Sequence, residues 1–127
     1  MSEDEYKNIK FTLENGVAHL ILARHDIRNA YSERDFTYEI LDVLAKVQVH
    51  PDARVFVMSA EGTAFSAGGN IKDMKDKKGI FGGGTAGIRR GYIEGIQQIP
   101  KALYALDIPS ISAVCSTTPR TFSTKPL

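Results

Sequence analysis

At 127 residues the chain has the length of one small domain, and its 43% hydrophobic and 24% charged content is ordinary for a globular protein. A formal net charge of +1 gives no field that would steer nucleic acid or a membrane surface toward it. No apolar run approaches the ~20 residues needed to span a bilayer. The acidic start Met1-Ser2-Glu3-Asp4-Glu5 is unlike a secretory or transit peptide, and Lys125-Pro126-Leu127 is not the S-K-L peroxisomal signal. Cys115 is the single cysteine, so no internal disulfide can form, a reducing compartment is the default, and the expected location is cytoplasmic.

In chain order, Ile9, Phe11 and Leu13 alternate with Lys10, Thr12 and Glu14, the period of a half-buried strand. Asn15-Gly16 is a type I′ hairpin signal, and Val17 to Leu22 returns as a second, more apolar strand. Arg24 to Tyr31 is polar and reads as a loop. Its Arg24, His25 and Arg28 are either phosphate ligands or solvated loop charges, the second being the norm for exposed Arg and His. Ser32 and Asp35 form a weak capping box ahead of a helix carrying Phe36, Ile40, Val43, Leu44 and Val47 at helical spacing, and Pro51 stops it. Val55-Phe56-Val57-Met58 is a short buried strand.

Thr63 to Met74 follows that strand with a small-residue turn, Ser66-Ala67-Gly68-Gly69, and a helix opening at Gly69 or Asn70. Glycine lets another molecule approach the backbone, and the first N–H groups of a helix have no internal partner. Strand, glycine turn and helix start together make a natural oxyanion site, although a plain strand-to-helix turn has the same composition. Lys72, Lys75, Lys77 and Lys78 make the next stretch lysine-rich, the last three reading as a solvated helix face, and Gly79 to Gly87 reads as a mobile loop. Within it Gly82 to Gly87 forms a G-x-G-x-x-G with Asp107 twenty residues on. The dinucleotide-binding reading is disfavoured because no strand leads in and Asp107 precedes a strand rather than ending one. Arg89 to Leu106 is helical, with Ile93, Ile96, Ile99, Leu103 and Leu106 on one side and a kink at Pro100, and Pro109 introduces a strand from Ser110 to Cys115. His19, His25 and His50 lack metal-ligand spacing, so no metal is expected.

Ala64-Phe65-Ser66-Ala67-Gly68-Gly69-Asn70-Ile71-Lys72 closely resembles the signature of the enoyl-CoA hydratase/isomerase (crotonase) family. Arg28-Asn29-Ala30, Arg54 to Met58 and Asp107 to Val114 match further family segments in order, so the resemblance covers roughly residues 8 to 114. It implies an α/β fold, a partial crotonase-like spiral of strand-helix units with an N-terminal hairpin. It implies an acyl-CoA substrate, no separate cofactor, and hydration or isomerisation of a 2-enoyl-CoA through a thioester enolate. Carried over residue by residue, Gly69 gives the first oxyanion N–H, the carbonyl of Ala67 meets the adenine, and Arg28, Ala30, Gly68, Asn70, Ile71 and Lys72 lie along the ligand. Gly69 replaces the family's usual Ala, Asn70 its usual Asp, and Ala23-Arg24-His25 its Asn-Arg-Pro.

From Cys115 the match stops. The family's second glycine-rich turn, its glutamate acid/base groups and the C-terminal helices of its trimers or hexamers lie beyond that point. Asp73, Asp76, Glu61 and Glu94 match no catalytic position. The expected division is residues 1–114 as the N-terminal part of a crotonase-like domain and 115–127 as a divergent, disordered tail arising from a frameshift, a splice or a mispredicted gene end. A chain poorly active alone, with an exposed apolar sheet face and edge, follows. The rivals are a non-catalytic CoA-binding or regulatory fragment that joins full-length subunits and the dinucleotide module at Gly82 to Gly87.

Overall fold

A computed structural model describes residues 6–31, 33–78 and 81–114, so the tail expected over 115–127 lies outside the described residues. The hairpin forms where alternation and Asn15-Gly16 place it. β1 (Ile9–Glu14) pairs antiparallel with β2 (Val17–Leu22), and Asn15 and Gly16 both take the positive φ that a type I′ turn requires.

The chain then crosses through α1 (Arg34–Val49) to β3 (Val55–Ala60), which pairs parallel with β2, Val17 opposite Val55 and Leu22 opposite Ala60. β4 (Ser110–Ser112) adds parallel to β3, giving the order β1-β2-β3-β4. Parallel neighbours need long crossovers, and the second is helical: α2 (Ile71–Asp76), α3 (Gly84–Gly91), a π-helical turn (Tyr92–Ile96) and α4 (Gln98–Tyr104).

The core lies between one sheet face and α1. Ala18, Leu20 and Leu22 of β2 and Phe56 and Met58 of β3 meet Phe36, Ile40, Val43, Leu44 and Val47, the stripe read from the sequence, with Ile99 of α4 closing the end. The opposite sheet face has thinner cover. Val17 is 39% and Ile111 55% exposed, and every residue of β4 is exposed, so the expected open face and edge are present. His19 Nε2 lies 2.7 Å from Ser59 Oγ on that face.

Four expectations need correction. α1 starts one residue late: its N-cap is Glu33, which makes no side-chain cap bond, and Ser32 of the proposed capping box lies outside the described residues. The loop expected through Gly87 already contains the first turn of α3 from Gly84. The single helix expected over Arg89 to Leu106 is three pieces. A π-turn, with the Gln97 N–H donating to the Tyr92 carbonyl at 2.9 Å, precedes Pro100 in the first turn of α4. Proline cannot supply the amide that would bond the Ile96 carbonyl, and the extra residue of the π-turn slips the 3.6-residue register. Ile93 consequently points out, 40% exposed, while Ile99, Leu103 and Leu106 pack on the core. Finally, Arg24 is not a free solvated charge, as its contacts below show.

Candidate functional site

Because β2 and β3 run parallel, the loops leaving their C-terminal ends emerge side by side, and those ends are where open α/β sheets place ligands. The loop after β2 carries Arg28-Asn29-Ala30, and the loop after β3 carries the Ala64 to Lys72 signature. Two backbone bonds stitch them together: the Ala67 N–H donates to the Arg28 carbonyl at 2.9 Å, and the Tyr31 N–H to the Gly68 carbonyl at 2.9 Å.

Asn29, given no role in the sequence reading beyond its place in the motif, holds the pair. It is fully buried with φ +54°, a left-handed conformation that Asn tolerates better than most residues. Its Oδ1 accepts from the Arg24 N–H at 2.8 Å, and its Nδ2 donates to the Glu61 and Ala64 carbonyls at 3.1 and 3.0 Å. Ser66 Oγ donates to the Asn29 carbonyl at 2.8 Å and accepts the Gly68 N–H at 3.1 Å. The available signal was the residue type: Asn inside a short polar loop is a common left-handed corner.

Charged partners pin the outside of the same loop. Arg24 bonds Asp26 at 3.0 Å, Glu33 at 2.6 Å and the Asn8 side-chain oxygen at 2.7 Å. The hydrogen bond that Arg24 donates to Asp26, then the one it donates to Glu33, raises the Arg24 pKa above its usual range, and the Arg24 guanidinium holds Asp26 below the usual carboxylate value. A guanidinium engaged in this way is structural. Ala30 is buried and its N–H is taken by the Ile27 carbonyl at 3.2 Å, while Arg28 is exposed. The Tyr31 ring tilts against Phe36, centroids 5.6 Å apart; burial raises its hydroxyl pKa, and a hydrogen bond with Ser66 opposes that rise.

Asn70 is the N-cap of α2, so the helix opens within the two-residue span expected. Its Oδ1 accepts the Lys72 and Asp73 amides at 3.0 and 3.3 Å. The Gly69 N–H, just outside this cap, donates to no described residue. Gly68 has φ +75° with open space where a Cβ would lie, so its glycine serves backbone conformation. Gly69 is different. A Cβ there would collide with the Met74 methyl and sit 3.3 Å from Phe81 Cζ. Ile71 and Lys72 are exposed, as are Lys75, Lys77 and Lys78. The structure therefore brings Ala67, Gly68, Gly69 and Asn70 into one turn and ties that turn to Arg28 and Tyr31.

Other features lie apart from this turn. A small cleft, with room for about one water molecule, sits between α1 and the α3–π segment, lined by Arg34, Thr37, Tyr38, Gly91, Glu94 and Gly95, none of them a signature residue. The buried Thr37 Oγ1 beside it has no hydrogen-bond partner among the described residues. Glu61 pairs with Lys10, and Glu94 stands 4.0 Å from Arg90. Residues 71–78, ahead of the Gly82 to Gly87 motif, are helical or irregular rather than the strand a dinucleotide fingerprint needs. Among the described residues no group of three His, Cys, Asp or Glu could hold a metal, and no helix is long and apolar enough to cross a membrane.

A hairpin followed by parallel strand-helix units, with a glycine turn at the carboxyl ends of the strands, defines an α/β framework of the crotonase type. The family model for enoyl-CoA hydratase/isomerase matches residues 12–118, and the chain belongs to that family. It is 37% identical over 71 residues to a hydroxycinnamoyl-CoA hydratase-lyase of Pseudomonas fluorescens, a match covering 56% of this chain and 25% of that one. Among solved structures it is similar to an enoyl-CoA hydratase of Shewanella pealeana, with TM-score 0.74 and 22% identity over 87% of this chain and 40% of that one. A Geobacillus kaustophilus structure described as an enoyl-CoA hydratase subunit gives TM-score 0.66 and 27% identity over 87% of this chain and 39% of that one. The chain thus spans a quarter of that curated relative's length and about two fifths of these structures.

Proposed function

We propose that this chain carries the first half of an acyl-CoA site, with the Gly69 amide as one of two donors that stabilise a thioester enolate. The observation that carries this reading is the Gly69 N–H: it has no protein acceptor among the described residues and lies at the mouth of two parallel strands, in a turn fixed from below by Asn29.

The chemistry asks for such a group. Hydration of a 2-enoyl thioester adds hydroxide from water to C3 while the electrons of the C2=C3 bond move toward the carbonyl, and a proton then returns to C2. Negative charge develops on the thioester oxygen, where a fixed N–H at about 3 Å is worth most; losing one such donor costs about 3 kcal/mol of barrier. The same donor serves isomerisation, which also passes through the enolate. Arg28, Ala30, Ala67, Gly68, Asn70, Ile71 and Lys72 complete the ligand-facing stretch in this reading. Ala67 offers a carbonyl to the base, and Lys72, exposed on α2, offers charge to the phosphates.

The reaction also needs an acid/base pair and a second donor, which this reading places outside the described residues. Glu61 and Glu94 face Lys10 and Arg90 as ion-pair partners and take no catalytic part in this reading. The 127-residue chain is therefore expected to bind crotonyl-CoA weakly and to hydrate it far more slowly than a full-length family member. Calorimetric titration together with the loss of enoyl absorbance tests this. Turnover equal to that of a full-length hydratase would refute it, as would complete absence of binding. The second reading, a CoA-binding fragment that joins longer subunits, draws on the open sheet edge at β4 and differs in predicting co-purification with a longer homologue.

A further inference from the structure

Arg34, Thr37 and Tyr38 share one side of α1 by helical spacing, and Gly91, Glu94 and Gly95 repeat that spacing on the segment facing them. Between the two lies the cleft with room for about one water molecule. Gly91 and Gly95 offer it main chain alone, whereas Arg34, Tyr38 and Glu94 are exposed and form its polar rim. Thr37 is different. It is 1% exposed, and its Oγ1 has no hydrogen-bond partner among the described residues. A threonine inside a helix can turn its hydroxyl back to the carbonyl one turn earlier. Here the Glu33 carbonyl takes the Thr37 N–H, at 3.3 Å, and not the hydroxyl. A buried hydroxyl left unbonded costs more than the methyl that valine would put in its place.

We propose that this cleft binds a single ordered water molecule, which joins Thr37 Oγ1 to polar atoms of the facing segment and so bridges α1 to the π-helical turn. Its size excludes a larger ligand. Its charges select a neutral one, since Arg34 on one wall disfavours a cation and Glu94 on the other disfavours an anion. A threonine hydroxyl donates one hydrogen bond and accepts two, which suits a ligand able to do both. An apolar cavity of this size could stay dry; one bordered by a hydroxyl, a guanidinium, a phenol and a carboxylate does not. The water supplies hydrogen bonds across the seam at the point where two glycines leave no side chain to pack. The site shares no residue with the glycine turn at Gly69, so it stands or falls apart from the acyl-CoA reading.

The test counts long-lived waters by 17O magnetic relaxation dispersion on the whole chain and on Thr37→Val and Thr37→Ser, with urea unfolding of the wild type and Thr37→Val. The wild type and Thr37→Ser, which keep the hydroxyl, are expected to hold one long-lived water more than Thr37→Val. The folding equilibrium constant of Thr37→Val should be about fivefold lower than that of the wild type, the worth of one net hydrogen bond. Equal counts in the wild type and Thr37→Val overturn the proposal, as does a Thr37→Ser count as low as that of Thr37→Val. A Thr37→Val chain as stable as the wild type or more so also overturns it, because that is what removal of an unbonded hydroxyl gives. A crystal structure of the wild-type chain decides the matter without any variant. Density for one water about 2.8 Å from Thr37 Oγ1 supports the site. A hydroxyl turned to the Glu33 carbonyl beside a dry cleft, or a larger molecule in the cleft, overturns it.

Discussion

On the N-terminal side of Gly69 the chain is fixed by buried hydrogen bonds. Asn29 reaches Arg24, Glu61 and Ala64 with its side chain, Ser66 returns to the Asn29 carbonyl, and two backbone bonds join the loops. On the C-terminal side α2 buries no residue, leaves Ile71 80% exposed, and begins on the single cap of Asn70. The same turn therefore has one rigid flank and one compliant flank. The difference teaches how a small α/β unit can hold an amide in place while letting the neighbouring wall adapt: buried polar networks confer geometry, and helices docked by little apolar area yield.

The largest expected effect tests the rigid flank. Asn29→Ala removes the fork that serves two carbonyls and one amide, and leaves a non-Asn residue at positive φ. Stability should fall by about 3 kcal/mol, read as a lower urea midpoint. A loss under about 1 kcal/mol would break the contrast. Asn70→Ala should cost about 1 kcal/mol, but locally. The 13Cα shifts of residues 71–76 should move toward coil while the global midpoint stays. A global loss matching that of Asn29→Ala would show that α2 is integral to the fold rather than a compliant edge.

The mildest effect is a titration. Burial raises the Tyr31 pKa above its ordinary value near 10, with the Ser66 hydrogen bond opposing. A raised folded-state pKa means that the folded chain binds the proton more tightly than the unfolded chain. The corresponding stability is fully present below about pH 10 and is lost as pH rises through the folded value. Absorbance near 295 nm should show Tyr31 ionising above the ordinary tyrosine range, as should Tyr6, which burial also raises, together with alkaline unfolding. A Tyr31 that titrates with the exposed tyrosines would place its ring outside the packed flank.

The parts of the fold that depend on periodicity were legible in the sequence. Alternation over Ile9 to Leu13, the Asn15-Gly16 turn and the Phe36 to Val47 stripe all lie where the pattern puts them, because each buries one face against one partner. Asn29 was not legible in the same way. A single buried polar residue in a left-handed corner has no period, and its bonds run to residues more than thirty positions away. Gly84 to Gly87 reads as loop because glycine disfavours helix, yet α3 opens at Gly84. Ile93 was placed inward by a 3.6-residue count that the π-turn interrupts. The turn is legible from its wording, since Ala64 to Lys72 reads as a family signature; the packing of Met74 against Gly69 is not, because it depends on a side-chain conformation.

The most direct test of the account is the 15N–1H correlation spectrum of the whole chain, recorded with and without a saturating non-hydrolysable thioester analogue of crotonyl-CoA. The Gly69 amide proton is expected to move downfield as it takes up the carbonyl oxygen, with smaller changes at Ala67 and Lys72. An analogue that binds while the Gly69 resonance stays where it was would contradict the assignment of that amide as the enolate's donor.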